Sequence, residues 1–260
     1  MDFPWPDIQQ ITVGLLILLR ISAIIILLPV LGHQLVPTQV KTGMIVVLTV
    51  LIYPLVYDKV TLIPLDPVAF AAIAIQEILI AGALALFAQL VFSASQFAGQ
   101  LISFQMGMTV ANVFDPVTRS QQSVISQLAI TLAMLLWIIT GAHRIFIHAM
   151  IESFTLFPID QPWSFPGLLT FTDAASNMFV LSLKIAAPVM LLLLLVFIAL
   201  GLLSRAVPQI QVFFVSFPLT VGLGLFAFAL GMPAFILLMN DAFIGLSVQV
   251  PLFLRHLGGN

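Results

Sequence analysis

Few residues in this 260-residue chain could carry chemistry, and three of them sit where charge is expensive. Arg20, Glu77 and Lys184 each fall inside a long apolar run. A charge in the middle of such a run costs roughly 2.5–3.5 kcal/mol on insertion scales unless it is paired or hydrated. Each is therefore expected to be a buried charge with a partner. Glu77 with Lys184 or with Arg20 is the economical solution within the chain, and a group on another subunit is equally open. An inert ion pair that fixes helix register outweighs a proton relay as the reading of these residues.

The remaining titratable groups suggest less. His143 and His148 are five apart, which puts them on different faces of a helix, and no acidic cluster sits beside them. A structural or interfacial role is expected for both rather than metal binding. Asp115 and Glu152 could be imagined as a carboxylate pair, but nothing in the sequence brings them together. There is no G-x-S-x-G, no H-E-x-x-H, no phosphate-binding loop and no dinucleotide fingerprint. Zero cysteines exclude disulfides, thiolate metal sites and a cysteine nucleophile. The sequence thus predicts no enzyme, no cofactor and no metal.

The elements that must position these groups are membrane elements. Hydrophobic residues make up 62% of the chain and charged ones 7%, and the mean hydropathy is +1.22, which is the integral membrane class. A net charge of -2 without a basic run points away from nucleic acid. The N-terminal MDFPWPDIQQ carries Asp2 and Asp7 where a signal peptide would carry lysines, so the first apolar run reads as retained.

Six apolar runs are expected to be helical: Ile11 to Leu31, Thr42 to Val56, Val68 to about Leu101, Val124 to Thr140, Met178 to Leu203 and Val212 to Met239. The second is short for a span, the third too long for one crossing. An amphipathic region, Ala142 to Thr172, separates the fourth run from the fifth, and Asn240 to Asn260 reads as a tail. Pro188, Pro218, Gly222, Gly224 and Gly231-Met232-Pro233 fall inside the later runs, so kinked helices are expected. Ser95 and Gly99, four apart, share a face that another backbone could approach closely. Charge orients none of this: with both termini on one side, the loops bearing Lys41, Arg119 and Arg205 face the ends bearing Lys59, Arg144 and Arg255.

Phe104 to Ser123, FQMGMTVANVFDPVTRSQQS, is too polar to face lipid and too apolar to sit easily in water. Irregular backbone at membrane depth is tolerated only where protein buries it or where it lines a water-filled cavity. An apolar-tipped loop in a pore would be a plug; a solvent-side connector packed back on the helices is an equal alternative.

Three ordered segments carry a resemblance: FQMGMTVANVFDP, GAHRIFIHAMIESFTLFPI and LLSRAVPQIQVFFVSFPLTVGLGLF. Together, over nearly the whole chain, they resemble the FliR family of flagellar type III export-gate subunits, whose relatives serve virulence injectisomes. The resemblance implies an all-α membrane fold, with a FliP-like part over residues 1–174 fused to a FliQ-like helical hairpin over 175–260. The hairpin turn would contain Arg205, Pro208 and Gln209.

It further implies one copy of the chain in a closed helical cone with FliP and FliQ homologues, in the inner membrane at the flagellar basal body. FlhB, FlhA and rod or FliE-type proteins would be neighbours, membrane lipid the surroundings, and unfolded export substrates the cargo. The family's plug loop maps onto 107–120, and Met106, Gly107, Met108, Val110, Val113, Phe114, Asp115 and Pro116 would form the gate. This chain departs from relatives that place aromatics at the positions of Val110 and Val113. A secondary transporter or small-solute channel built on Arg20, Glu77 and Lys184 is the competing expectation.

Overall fold

Prolines and caps set where the helices start and stop. The computed structural model describes residues 7–33, 36–57, 60, 63–64, 66–108, 123–159, 168–207 and 212–257. Among them are eight α-helices and no strand. Helix α1 is Ile8–Leu27. It begins before the expected Ile11 because the Gln10 amide oxygen accepts the Asp7 N–H at 3.1 Å, a capping contact hidden in a polar stretch. It ends before the expected Leu31 because Leu28 precedes Pro29 and takes an extended ψ of 130°.

Helix α2 is Thr38–Tyr57, 20 residues rather than the short run of the hydropathy pattern. Its polar first turn, Thr38 to Lys41, is helical because the Pro37 carbonyl accepts the N–H groups of Val40 and Lys41. Helix α3, Pro67–Gln105, is continuous over 39 residues, roughly 58 Å at about 1.5 Å per residue. Helix α4 is Val124–Ile139, opened by Ser123, whose hydroxyl accepts the Ser126 N–H at 3.1 Å. Gly141, at φ +74°, turns the chain into α5, Ala142–Leu156, at 73° to α4. Only glycine takes that left-handed backbone without strain.

Helix α6 is Leu168–Ala206 with Pro188 inside it, α7 is Val212–Leu230 and α8 is Met232–Leu257. The break between α7 and α8 falls at Gly231, just before Pro233. The expected C-terminal tail is instead most of α8. Phe243, Leu246, Val250 and Leu254, spaced three and four apart, bury one face of it. Five helices, α1, α2, α3, α6 and α8, are long and apolar enough to cross a membrane, and the bent α4–α5 pair is a sixth candidate.

The chain forms two compact units, neither made from one continuous segment. The first comprises Met1–Leu90, Gly141–Ala174 and Phe243–Asn260. Its core is one face of α1, from Val13 through Ile17 to Ile24, with Ile80, Leu84 and Phe87 of α3, Phe146 and Met150 of α5 and the α8 stripe. The Phe87 ring meets Phe171 edge-on at 5.9 Å and Phe253 at 5.0 Å. The Gln9 side-chain amide pairs with the Ile63 backbone through both its groups, at 3.0 and 3.2 Å, tying the α2–α3 connection to α1.

The second unit comprises Val91–Thr140 and Ala175–Ala242. Here α3 and α4 approach until their backbones nearly touch. A methyl added at Gly99 would lie 2.6 Å from the Ser126 Cα. Two hydroxyls stitch the crossing in opposite directions: Ser95 donates to the Ala129 carbonyl at 2.8 Å, and Ser126 donates to the Gln96 carbonyl at 2.9 Å. In lipid, where apolar burial drives no association, close backbone contact and such hydrogen bonds hold helices together.

Gly99→Val is therefore expected to lower stability by about 1–3 kcal/mol through overpacking against the α4 backbone. Gly14→Ala, whose added methyl meets only the Tyr53 ring at 3.7 Å, should be tolerated. Thermal denaturation of the two variants in detergent checks the contrast, and equal melting temperatures would remove the Gly99 contact from the account.

Candidate functional sites

The first site is built around Arg20, wholly buried on the packed face of α1. Its guanidinium lies flat against the Glu77 carboxylate of α3, Nε donating to Oε2 and Nη2 to Oε1, the latter at 2.8 Å. Glu77 is also wholly buried. The remaining N–H groups turn to the end of α5: Nη1 donates to the carbonyls of Ser153 and Phe157, both at 3.1 Å, and Nη2 to Phe157 at 3.2 Å. The Phe154 ring covers the cation at 4.3 Å.

Arginine carries five N–H donors in a planar fork, and all five have acceptors in this arrangement. The last carbonyls of a helix lack partners within it and carry the negative end of its dipole. One cation thus neutralises a buried carboxylate and closes the C-terminus of α5. With every donor used, the guanidinium has no spare N–H to offer a substrate.

Lys184 takes no part in this pair. Its side chain is exposed on α6, and no ion pair joins it to a carboxylate among the described residues. The physical reason lies in Glu77: both carboxylate oxygens are filled by the guanidinium fork, a match that a lysine point charge does not provide.

The second site is the end of α3. Helical bonding continues past Gln105, with the Met106 N–H on the Ile102 carbonyl at 2.9 Å, and Gly107 then turns left-handed at φ +78°. Met106 is wholly buried and Met108 half-buried. The Met106 carbonyl accepts the Thr220 hydroxyl of α7 at 3.1 Å. Its thioether fills the notch at Gly224, where an added methyl would collide with the Met106 Cε and lie 2.8 Å from Cγ. The rest of the expected gate, Val110, Val113, Phe114, Asp115 and Pro116, lies outside the described residues, as do Pro208 and Gln209 of the expected hairpin turn. Arg205 stands exposed in the last turn of α6.

A shallow cleft on the first unit is lined by Arg144, His148 and Glu152 of α5 and Ser247 of α8. His148 is exposed and faces Glu152 at 3.8 Å, a solvent-screened contact of little energetic weight. No group of three or more histidines or carboxylates is placed to hold a metal among the described residues.

Sequence reasoning missed Ser153, Phe157, Thr220 and Gly224. The two acceptors act through backbone carbonyls, which side-chain type does not reveal. Thr220 and Gly224 do carry a signal, since spacing of four puts them on one face of α7.

Residues 11–246 match the family described as bacterial export proteins, family 1. The flagellar biosynthetic protein FliR of Bacillus subtilis strain 168 is 32% identical, over 88% of this chain and 89% of its own length. FliR of Pectobacterium carotovorum is 35% identical over 82% of both chains. FliR of Escherichia coli K12 is 34% identical over 83% of this chain and 82% of its own.

Removing one partner of a buried pair leaves an uncompensated charge, at a cost of about 3–5 kcal/mol. Glu77→Gln is accordingly expected to reduce sharply the folded protein recovered from membranes and its incorporation into larger assemblies. Native gel electrophoresis reads both, and wild-type amounts in both would show that the pair is dispensable.

Proposed function

The chain belongs to the bacterial export proteins, family 1, and on that premise we propose that it is the FliR-type subunit of a flagellar protein-export gate, a non-enzymatic multi-pass protein of the bacterial inner membrane. The observation that carries this reading is the family match across residues 11–246, together with FliR relatives aligned over more than four fifths of both chains. In that role it joins FliP and FliQ homologues around a channel for unfolded flagellar proteins. Residues 1–174 supply a FliP-like part, and 175–260 a FliQ-like hairpin.

Two structural features support a subunit working among partners. Apolar side chains stand exposed along α2, α6 and α8, and only 17% of the α2 span is buried within the chain. Lys184 stands exposed on α6, the most apolar of the membrane-length helices, where a bare cation in hydrocarbon is costly. The saturated Arg20 disfavours the competing transporter, since its binding site would need unfilled donors.

In the proposed gate, the segment after Gly107 provides the apolar obstruction. Apolar groups lining a narrow pore keep it dry and so exclude ions, while a flexible polypeptide with greasy side chains can displace them at little cost. The chain contributes shape and sealing rather than energy, which must come from other components.

Deleting residues 107–112 is expected to leave the complex assembled but leaky. Membrane conductance in cells expressing the deletion measures this, and wild-type conductance with intact assembly would refute the plug. The purified chain alone in liposomes should move no small solute, and solute uptake there would favour the transporter instead.

A further inference from the structure

We propose that Thr220 and Gly224 of α7 are positioning residues that clamp the end of α3 and set where the chain leaves it. The clamp is read from described residues alone, and it rests on the gating reading only for its role in export. Met106 is held twice. Its carbonyl accepts the Thr220 hydroxyl at 3.1 Å. Its side chain occupies the space that any residue larger than glycine at position 224 would take. Thr220 is 2% exposed and Met106 wholly buried, so neither group has water as an alternative partner.

The hydrogen bond is built to be exchanged. The Thr220 hydroxyl has a second acceptor in its own helix, the Phe217 carbonyl, also at 3.1 Å. One hydroxyl carries one proton, so Thr220 satisfies either α7 alone or the α3 end. Releasing Met106 therefore strands no buried donor on α7. Two residues before Thr220, Pro218 removes a rung of the helical ladder, a place where α7 can bend. One residue after Met106, Gly107 is left-handed, and among the described residues nothing lies within 4 Å of the position a side chain would take there. A fixed point thus sits between two compliant ones. Movement of α7 is carried through Met106 to the residue at which the chain turns out of α3.

The chain contains no cysteine, so a Met106→Cys, Gly224→Cys pair in the assembled complex gives a disulfide with no competing thiol in this subunit. The pair should cross-link on oxidation. Export of flagellar protein should be lost in the oxidised state and return on reduction with dithiothreitol. Absence of a cross-link would overturn the clamp, and so would a cross-link that leaves export unchanged. In a second arm, Gly224→Ala is expected to raise membrane conductance, and adding Met106→Ala should bring it back. A double variant as leaky as Gly224→Ala would contradict the notch. Failure of the 107–112 deletion to leak while the cross-link still blocks export would sink the plug and leave the clamp standing.

Discussion

A guanidinium with no spare donor organises the first unit. Arg20 reaches α3 through the Glu77 carboxylate and α5 through two backbone carbonyls, so a single side chain fixes three helices. Moving two such ions out of water costs several kcal/mol each, and the attraction between them repays that only when the other polar atoms around them are also satisfied. Here the end of α5 supplies the missing acceptors. A pair of this kind adds little net stability over a well-packed apolar cluster, but it allows only one register of α1 against α3 and α5. In a chain made largely of interchangeable aliphatic side chains, that discrimination is what shape alone provides poorly.

The second unit is held by a different means. Glycine and serine on α3 let α4 come within backbone contact, and the paired hydroxyl bonds of Ser95 and Ser126 replace bonds to water that lipid cannot offer. The same device recurs at Gly224, where the absent side chain admits Met106. Aromatic rings fill the wider gaps, with Phe92 against Trp137 at 5.3 Å and Phe97 edge-on to Phe179 at 5.7 Å. Exposed apolar surface on α2, α6 and α8 is left over, and it is surface of the sort that lipid or neighbouring apolar helices cover.

Much of the architecture was legible from composition and punctuation. Runs of Leu, Ile, Val and Phe located the membrane-length helices, and Gly231-Met232-Pro233 marked a break inside the last of the expected runs. The errors cluster where a polar residue lies inside a helix. Thr38 to Lys41 lowered the hydropathy of α2 without breaking it, and the Asp241 to His256 region disguised most of α8, whose buried stripe runs at helical spacing. Hydropathy reports the cost of exposing a residue to lipid, whereas helix continuity depends on backbone bonding, which those residues satisfy.

For the charges, the residues themselves stated that a partner was required, because an isolated ion in an apolar run is untenable. Their identities could not choose between Arg20 and Lys184 as the partner of Glu77. That choice was tertiary: it depends on α1 lying beside α3 with α5 ending against both, where a planar fork meets two carboxylate oxygens and two carbonyls at once. Likewise the spacing of Ser95 and Gly99 announced a close contact, but only the packed structure placed α4 against it. The sequence by itself determined that the chain is helical, membrane-embedded and of the bacterial export family, since hydropathy, periodicity and ordered motifs are local properties. Which atoms satisfy the buried polar groups, and where α7 grips the end of α3, are relations between residues from 30 to 137 positions apart. Only the tertiary structure decided them.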